Sequence, residues 1–294
     1  MFNRKMNSKE LGLVLGQQLL GVDDLHYGLW EEDLPLSFAN MGEAQQRYTD
    51  LLASALPSAE NGNTRVFDIG CGTGHILAQL LDMGYQADGL VPAPKLAEMV
   101  RQRIADRPGK TVRLFESTFE DFPAGEHQAD YDAALFSESY QYIPMEASFP
   151  ILAQIIKPGG VVVICDFFQT EHDGDGQPGD GSFGGGHPMQ KFYEELKQYP
   201  FTLLRDEDIT HKVSPNIKLV DETLRLKLAP AGQSINRYLT ENYPMIYKAL
   251  KGLVKLFFGK KLQKQEYKYF SGHRTQEVFE RYKTYHLLVL RRNA

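Results

Sequence analysis

The chain has 294 residues, 42% of them hydrophobic and 24% charged, with a formal charge of −6. That balance is ordinary for a globular protein with one large core or one core plus an insertion, and it excludes a disordered chain or a basic nucleic-acid binder. The only cysteines, Cys71 and Cys165, make no disulfide framework, which points to a reducing compartment and a cytoplasmic protein.

Residues 1–60 read as helices joined by a loop. Leu11, Val14, Leu15 and Leu19 recur at helical spacing, and so do Tyr48, Leu51, Leu52 and Leu56. The stretch from Leu11 to Val22 is broken by Gln17 and Gln18; it is too short to span a bilayer and lacks a signal peptide's apolar segment. Between the two helices lies Leu25-His-Tyr-Gly-Leu-Trp30, which holds the only tryptophan. As residues alone it reads as an aromatic staple for the N-terminal helices or as a cover over a ligand.

From Thr64 to Asp166, short apolar runs alternate with helix-length segments. Strands are predicted over 65–69, 87–91, 111–115, 132–137 and 161–165, with helices over 75–82, 94–105 and 149–156. Such alternation gives parallel strands with crossover helices on both faces, an α/β fold whose ligands bind at the carboxyl ends of the strands. The first strand ends in Asp68, and Gly70, Gly72 and Gly74 follow at alternate positions before the next helix. Glycines there permit a sharp turn and let a nucleotide-like ligand approach bare backbone. The spacing is not the G-x-G-x-x-G of dinucleotide folds.

Residues 169–188 are rich in glycine and aspartate and read as a mobile lid loop. Asp173-x-Asp175 opens like a calcium loop, but Pro178 stands at the turn glycine's position and Gly184 replaces the closing acid, so no metal is expected. A sixth strand is predicted at 201–204 and a last one at 285–290. Between them lies a helical insertion over 214–272. Its segment 247–268 is lysine-rich: Leu250, Leu253, Val254, Phe257 and Phe258 share a face, while Lys248, Lys251 and Lys255 fall elsewhere. It reads either as a cap over a substrate pocket or as a helix on a membrane surface.

Four segments in order resemble class I S-adenosylmethionine-dependent methyltransferases of the small-molecule type. They are Asp68-Ile-Gly-Cys-Gly-Thr-Gly74, the turn from Gly84 to Pro94, the strand from Tyr131 to Ser139, and Ile155-Ile-Lys-Pro-Gly-Gly-Val-Val-Val-Ile-Cys-Asp166. The resemblance implies a Rossmann-like seven-stranded methyltransferase sheet, with an N-terminal helical cover at 1–60, a core at 61–213, the 214–272 cap insertion, and the final helix and strand at 273–294. It implies S-adenosylmethionine as cofactor, bordered by Asp68, Gly70, Cys71, Gly72, Gly74 and Ser137, with Tyr27, Trp30 and Gln45 at its methionine end. Two positions depart from the family. Val91, beside Pro92, stands where an acid binds the ribose, and Ser117-Thr118-Phe119 replaces the segment whose Asp meets the adenine; Val91, Pro92, Thr118 and Phe119 are kept as lining positions.

Methyl transfer is an in-line displacement at a sulfonium methyl, so the protein contributes alignment, exclusion of water and sometimes a base. The candidates on the acceptor side are Glu138 and Tyr142, in a segment resembling the family's "ESxxHxP", and His187 in the glycine-rich loop. The acceptor is expected to be small and hydrophobic, with O, N or C as the methylated atom. A binding or regulatory protein with altered cofactor use is the alternative, and a membrane-docked lipid methyltransferase is a third reading.

Overall fold

The computed structural model describes residues 26–59, 62–107 and 109–294. The helix expected around Leu11 to Val22 lies outside the described residues.

The apolar runs become seven strands: β1 (Arg65–Ile69), β2 (Gln86–Leu90), β3 (Leu114–Phe115), β4 (Tyr131–Ser137), β5 (Ile156–Gln169), β6 (Phe201–Asp208) and β7 (Lys283–Arg292). They form one sheet in the order β3-β2-β1-β4-β5-β7-β6. Pairing is parallel from β3 to β5, and β6 lies antiparallel to β7. The central strands β1 and β4 are buried along almost their whole length, as parallel strands covered on both faces must be. On edge strand β6 burial alternates residue by residue, since one face meets the core and the other does not. The switch point falls between β1 and β4, where the strand order reverses, and ligands bind outside the strand ends at such a point.

Helices α1 (Met41–Ser54), α2 (His75–Asp82), α3 (Pro94–Ala105), α4 (Met145–Ile155) and α5 (Met189–Leu196) accompany these strands. Several predicted bounds shift: β5 runs over Ile156–Gln169 rather than 161–165, and β6 over Phe201–Asp208 rather than 201–204. Helix α4 starts at Met145, four residues before its predicted start, because Pro144 ends the preceding turn and the helix follows directly. Strand β3 keeps only Leu114 and Phe115 of the predicted 111–115, because the Arg113 N–H turns to the Asp88 carboxylate at 3.0 Å.

A large aromatic cluster fills the core, with Phe67, Phe119, Phe136, Tyr140, Phe149, Phe168 and Phe192 all but inaccessible. Asp88 is buried and accepts from Arg65 at 2.8 Å and Arg113 at 2.6 Å. That ion pairing answers its buried charge.

The chain divides into two compact units. One holds the sheet and its helices, up to Gln169 with Gly185–Ile209 and Tyr285–Ala294; the other is Thr170–Gly184 with Thr210–Thr284. The second unit contains α6 (Thr210–Val213), α7 (Pro215–Glu222), a π-helical stretch Thr223–Leu228, α8 (Ala229–Asn242), α9 (Pro244–Phe270) and α10 (Gln276–Tyr282). Pro244 separates α8 from α9, since a residue before proline is pushed out of the helical region and Tyr243 adopts φ −134°, ψ 48°. The glycine-rich segment 170–184 belongs to this unit. There Asp175 pairs with Arg281 at 2.8 Å, Asp173 with Lys283 at 3.3 Å, and Asp180 accepts from the N–H groups of Gly174 and Gly176. These carboxylates serve the loop, and the described residues contain no His, Cys, Asp or Glu group that would hold a metal.

Candidate active site

The turn after β1 is built by local rules. The N–H groups of Gly70 and Cys71 both donate to the Leu90 carbonyl, at 2.9 and 3.0 Å, which bends the chain over the end of β2. Gly70 has φ +83°, and a Cβ there would lie 2.4 Å from that of Ser139, so only glycine fits. Gly72 and Gly74 also have positive φ, and Gly74 starts α2. A Cβ on Gly72 would meet nothing within 4 Å, so the turn faces open space at that residue. The Asp68 carboxylate is buried at the end of β1. Cys71 is buried beside it, and burial pushes its thiol up, so it stays protonated.

The N-terminal cover seats itself by backbone contact. A Cβ on Gly28 would stand 2.5 Å from that of Ala44, which lets the Leu29 N–H donate to the Ala44 carbonyl at 2.8 Å. Gln45 is buried and donates to the His26 carbonyl at 2.8 Å. The His26 ring stacks on Tyr48 with centroids 4.5 Å apart. Trp30 is buried, and its indole N–H has no hydrogen-bond partner among the described residues. A buried donor in that condition is costly unless a ligand accepts from it.

Glu138 follows β4 with φ +53°, a strained conformation for a non-glycine residue. Its Oε1 accepts from the Tyr27 N–H at 2.7 Å and from the Tyr285 hydroxyl at 3.0 Å. Tyr285 is in turn 2.9 Å from the Tyr48 hydroxyl, which reaches the Cys165 carbonyl at 3.2 Å. Both phenols are wholly buried, and burial pushes them well up, so they remain neutral. Ser137 joins the edge of this network at 3.5 Å from Tyr48. Asp166, near the carboxyl end of β5, is also wholly buried and accepts from Gln141 N at 2.9 Å, Gln141 Nε2 at 3.1 Å and Phe167 N at 2.8 Å. It thereby fixes the 140–142 turn that carries Tyr142. Tyr142 is 71% exposed, and desolvation, Asp166 and Glu138 push its phenol up.

Burial pushes the Asp166 carboxyl up to about 8, with the nearby Glu138 adding to it, although its three N–H donors pull the other way. A carboxyl raised above its ordinary value of about 4 favours folding below that value and loses this contribution as pH rises toward the folded one. We expect the melting temperature of the wild type to fall between pH 5 and 8 more steeply than that of Asp166→Asn. Equal slopes in a calorimetric pH series would overturn this.

The sequence candidates separate into groups. Asp68, Gly70, Cys71, Gly72, Gly74, Ser137, Glu138 and Tyr142 gather at the carboxyl ends of β1 and β4, and Glu138 ties Tyr27 to them. The Val91 side chain is buried, its N–H donates to Phe115, and Pro92 beside it is exposed. Thr118 is exposed and its hydroxyl donates to Asp121 at 2.9 Å, while the Phe119 ring belongs to the core. Phe119 therefore leaves only its backbone to line a ligand. His187 directs Nε2 at the carbonyls of Tyr140 and Ile143, at 3.1 and 2.9 Å, so this nitrogen carries a proton and holds the loop. His187, the candidate base in the glycine-rich loop, thus has Nε2 engaged with the backbone. Sequence reading missed Tyr48, Gln141, Asp166 and Tyr285. No local signal marks them, because each resembles an ordinary strand, turn or helix residue. A groove of about 420 Å³ lined by Val100, Arg101, Ile104, Arg107, Lys110 and Leu114 shares none of these residues and carries no function here.

Residues 66–160 match a family model described as a methyltransferase domain. An uncharacterised methyltransferase of Mycobacterium tuberculosis is 26% identical over 133 residues, 44% of this chain and 51% of that protein. A ubiquinone biosynthesis O-methyltransferase of Aromatoleum aromaticum is 30% identical over 107 residues, 36% of this chain and 43% of the relative. This chain thus spans about half the length of the first curated relatives it matches. Among solved structures, the geranyl diphosphate C-methyltransferase of Streptomyces coelicolor, in complex with magnesium, geranyl diphosphate and S-adenosyl-L-homocysteine, superposes with a TM-score of 0.65 at 16% identity. The match covers 94% of this chain and 92% of that one, and at such identity it speaks for the fold.

Proposed function

From a chain that belongs to the class I S-adenosylmethionine-dependent methyltransferases, by its 66–160 domain and its strand order, we propose an enzyme that transfers a methyl group from this cofactor to a small, hydrophobic acceptor. The observation that carries the reading is the turn after β1, where Gly72 faces open space above the buried Asp68 carboxylate. The cofactor supplies an electrophilic sulfonium methyl with its own leaving group. Asp68 accepts hydrogen bonds from the ligand's amino group, the glycines allow backbone approach, and Trp30 has an indole N–H to offer. Glu138 holds the 26–30 segment over the strand ends, which excludes water. Tyr142, exposed on the 140–142 turn, orients the acceptor. The name of the ubiquinone biosynthesis O-methyltransferase supports a small-molecule acceptor.

Val91 offers no carboxylate to a ribose, and Asp88 is held by two arginines. Hydrogen bonds to a charged group contribute about 1.5–3 kcal/mol each, so affinity should be micromolar rather than nanomolar. The test is calorimetric titration of S-adenosylhomocysteine into the full chain. Micromolar binding is the expected result. A folded chain that binds neither this compound nor S-adenosylmethionine would overturn the reading and favour a second one, a binding or regulatory protein on the same fold, which the residues at Val91 and Thr118 suggest.

A further inference from the structure

Helix α9 (Pro244–Phe270) is the most unusual element of the second unit. It carries seven lysines and one glutamate, a formal +6 in a chain of −6, so the remaining residues together carry −12. Its described apolar residues are exposed: Met245 is 85% exposed, Leu256 76%, and Ile246 and Phe257 72% each. At 1.5 Å per residue the helix is about 40 Å long.

The helical repeat places these groups in a definite order. Ile246, Leu250, Leu253 and Phe257 recur at steps of four, three and four and form one stripe. Lys260, Lys261 and Lys268 continue along that same side, while Lys248 and Lys251 fall on the opposite one. One side of the helix thus presents an exposed apolar stripe followed by a basic stretch. The amphipathic pattern of the first half does not run through the second, where the lysines take the apolar side.

We propose that this side of α9 docks on an anionic bilayer surface, with the 246–257 stripe at the acyl boundary and the 260–268 lysines on acidic headgroups. Charge complementarity selects that occupant. A second copy meeting the helix through the same face would bring lysines to a surface that is itself basic, and a neutral apolar partner would leave the lysines unanswered. An acidic lipid layer satisfies both the apolar and the basic part. The helix lies on the surface, since no helix among the described residues is long and apolar enough to cross a membrane. Docking is independent of methyl transfer and is tested apart from it.

The experiment is co-sedimentation of the full chain with vesicles of phosphatidylcholine alone or with one-third phosphatidylglycerol. Binding to the anionic vesicles, lost in high salt and absent from the neutral ones, is expected. Each basic residue near such a surface is worth about 1 kcal/mol, so Lys260→Gln with Lys261→Gln should weaken partition roughly thirtyfold. Leu250→Ser with Phe257→Ser should abolish it. All these positions are surface residues, so the variants should melt and bind S-adenosylhomocysteine as the wild type does. No binding to anionic vesicles, equal binding to both kinds, or a lipid-free dimer that the serine variant dissociates would each overturn the proposal.

Discussion

Gly72→Ala is expected to leave the protein folded and to weaken S-adenosylhomocysteine binding by roughly ten- to a hundredfold, whereas Gly70→Ala should damage both. The two glycines are two residues apart and both have positive φ, so an L side chain is strained at either. Their surroundings differ. At Gly70 the new methyl would lie 2.4 Å from the Ser139 Cβ, which is backbone-anchored and held in the turn after β4. We expect a loss of about 2–4 kcal/mol, read as a melting temperature lower by roughly 5–15 °C. At Gly72 the methyl meets no protein atom within 4 Å, so the cost should be limited to backbone strain of about 1 kcal/mol. What it would meet is the ligand. Calorimetry and thermal melts on both variants separate the outcomes; a Gly72→Ala protein that binds like wild type would mean that the open space is not the cofactor site.

Glu138→Ala should lower kcat/KM by roughly a hundred- to a thousandfold, while Glu138→Gln should lose much less. The alanine removes the acceptor shared by the Tyr27 N–H and the Tyr285 hydroxyl, and so frees the segment that covers the strand ends. Glutamine keeps a carbonyl oxygen for both donors and removes only the charge. If Glu138 acts by holding that cover, the glutamine variant stays near wild type and the alanine variant loses cofactor affinity along with rate. If its negative charge takes part in the reaction, both variants lose kcat while cofactor affinity is kept. Activity within a few-fold of wild type in both would remove Glu138 from the site. Tyr285→Phe is a milder companion, expected to cost about 1 kcal/mol, because Glu138 retains the Tyr27 bond.

How much of this was readable in advance depends on distance along the chain. The sequence by itself determined the strand at 65–69, the helices at 75–82 and 94–105, and the glycine turn between the first two, all of which have the bounds expected. Those features are set within a few residues by apolar periodicity, by strand-to-helix spacing and by the positive φ that only glycine takes freely. Only the tertiary structure decided which other groups stand at the strand ends. Register does this: Ser137 of β4 lies beside Cys165 of β5, so the next residues, Glu138 and Asp166, come out together where the pairing of these two central strands ends. Tyr285 reaches Glu138 across 147 positions of chain because β7 returns next to β5. Tyr48 joins them from a helix whose spacing marks it only as an inward-facing residue. Periodicity tells which way a side chain points, but which distant side chain it meets is fixed only when the sheet closes.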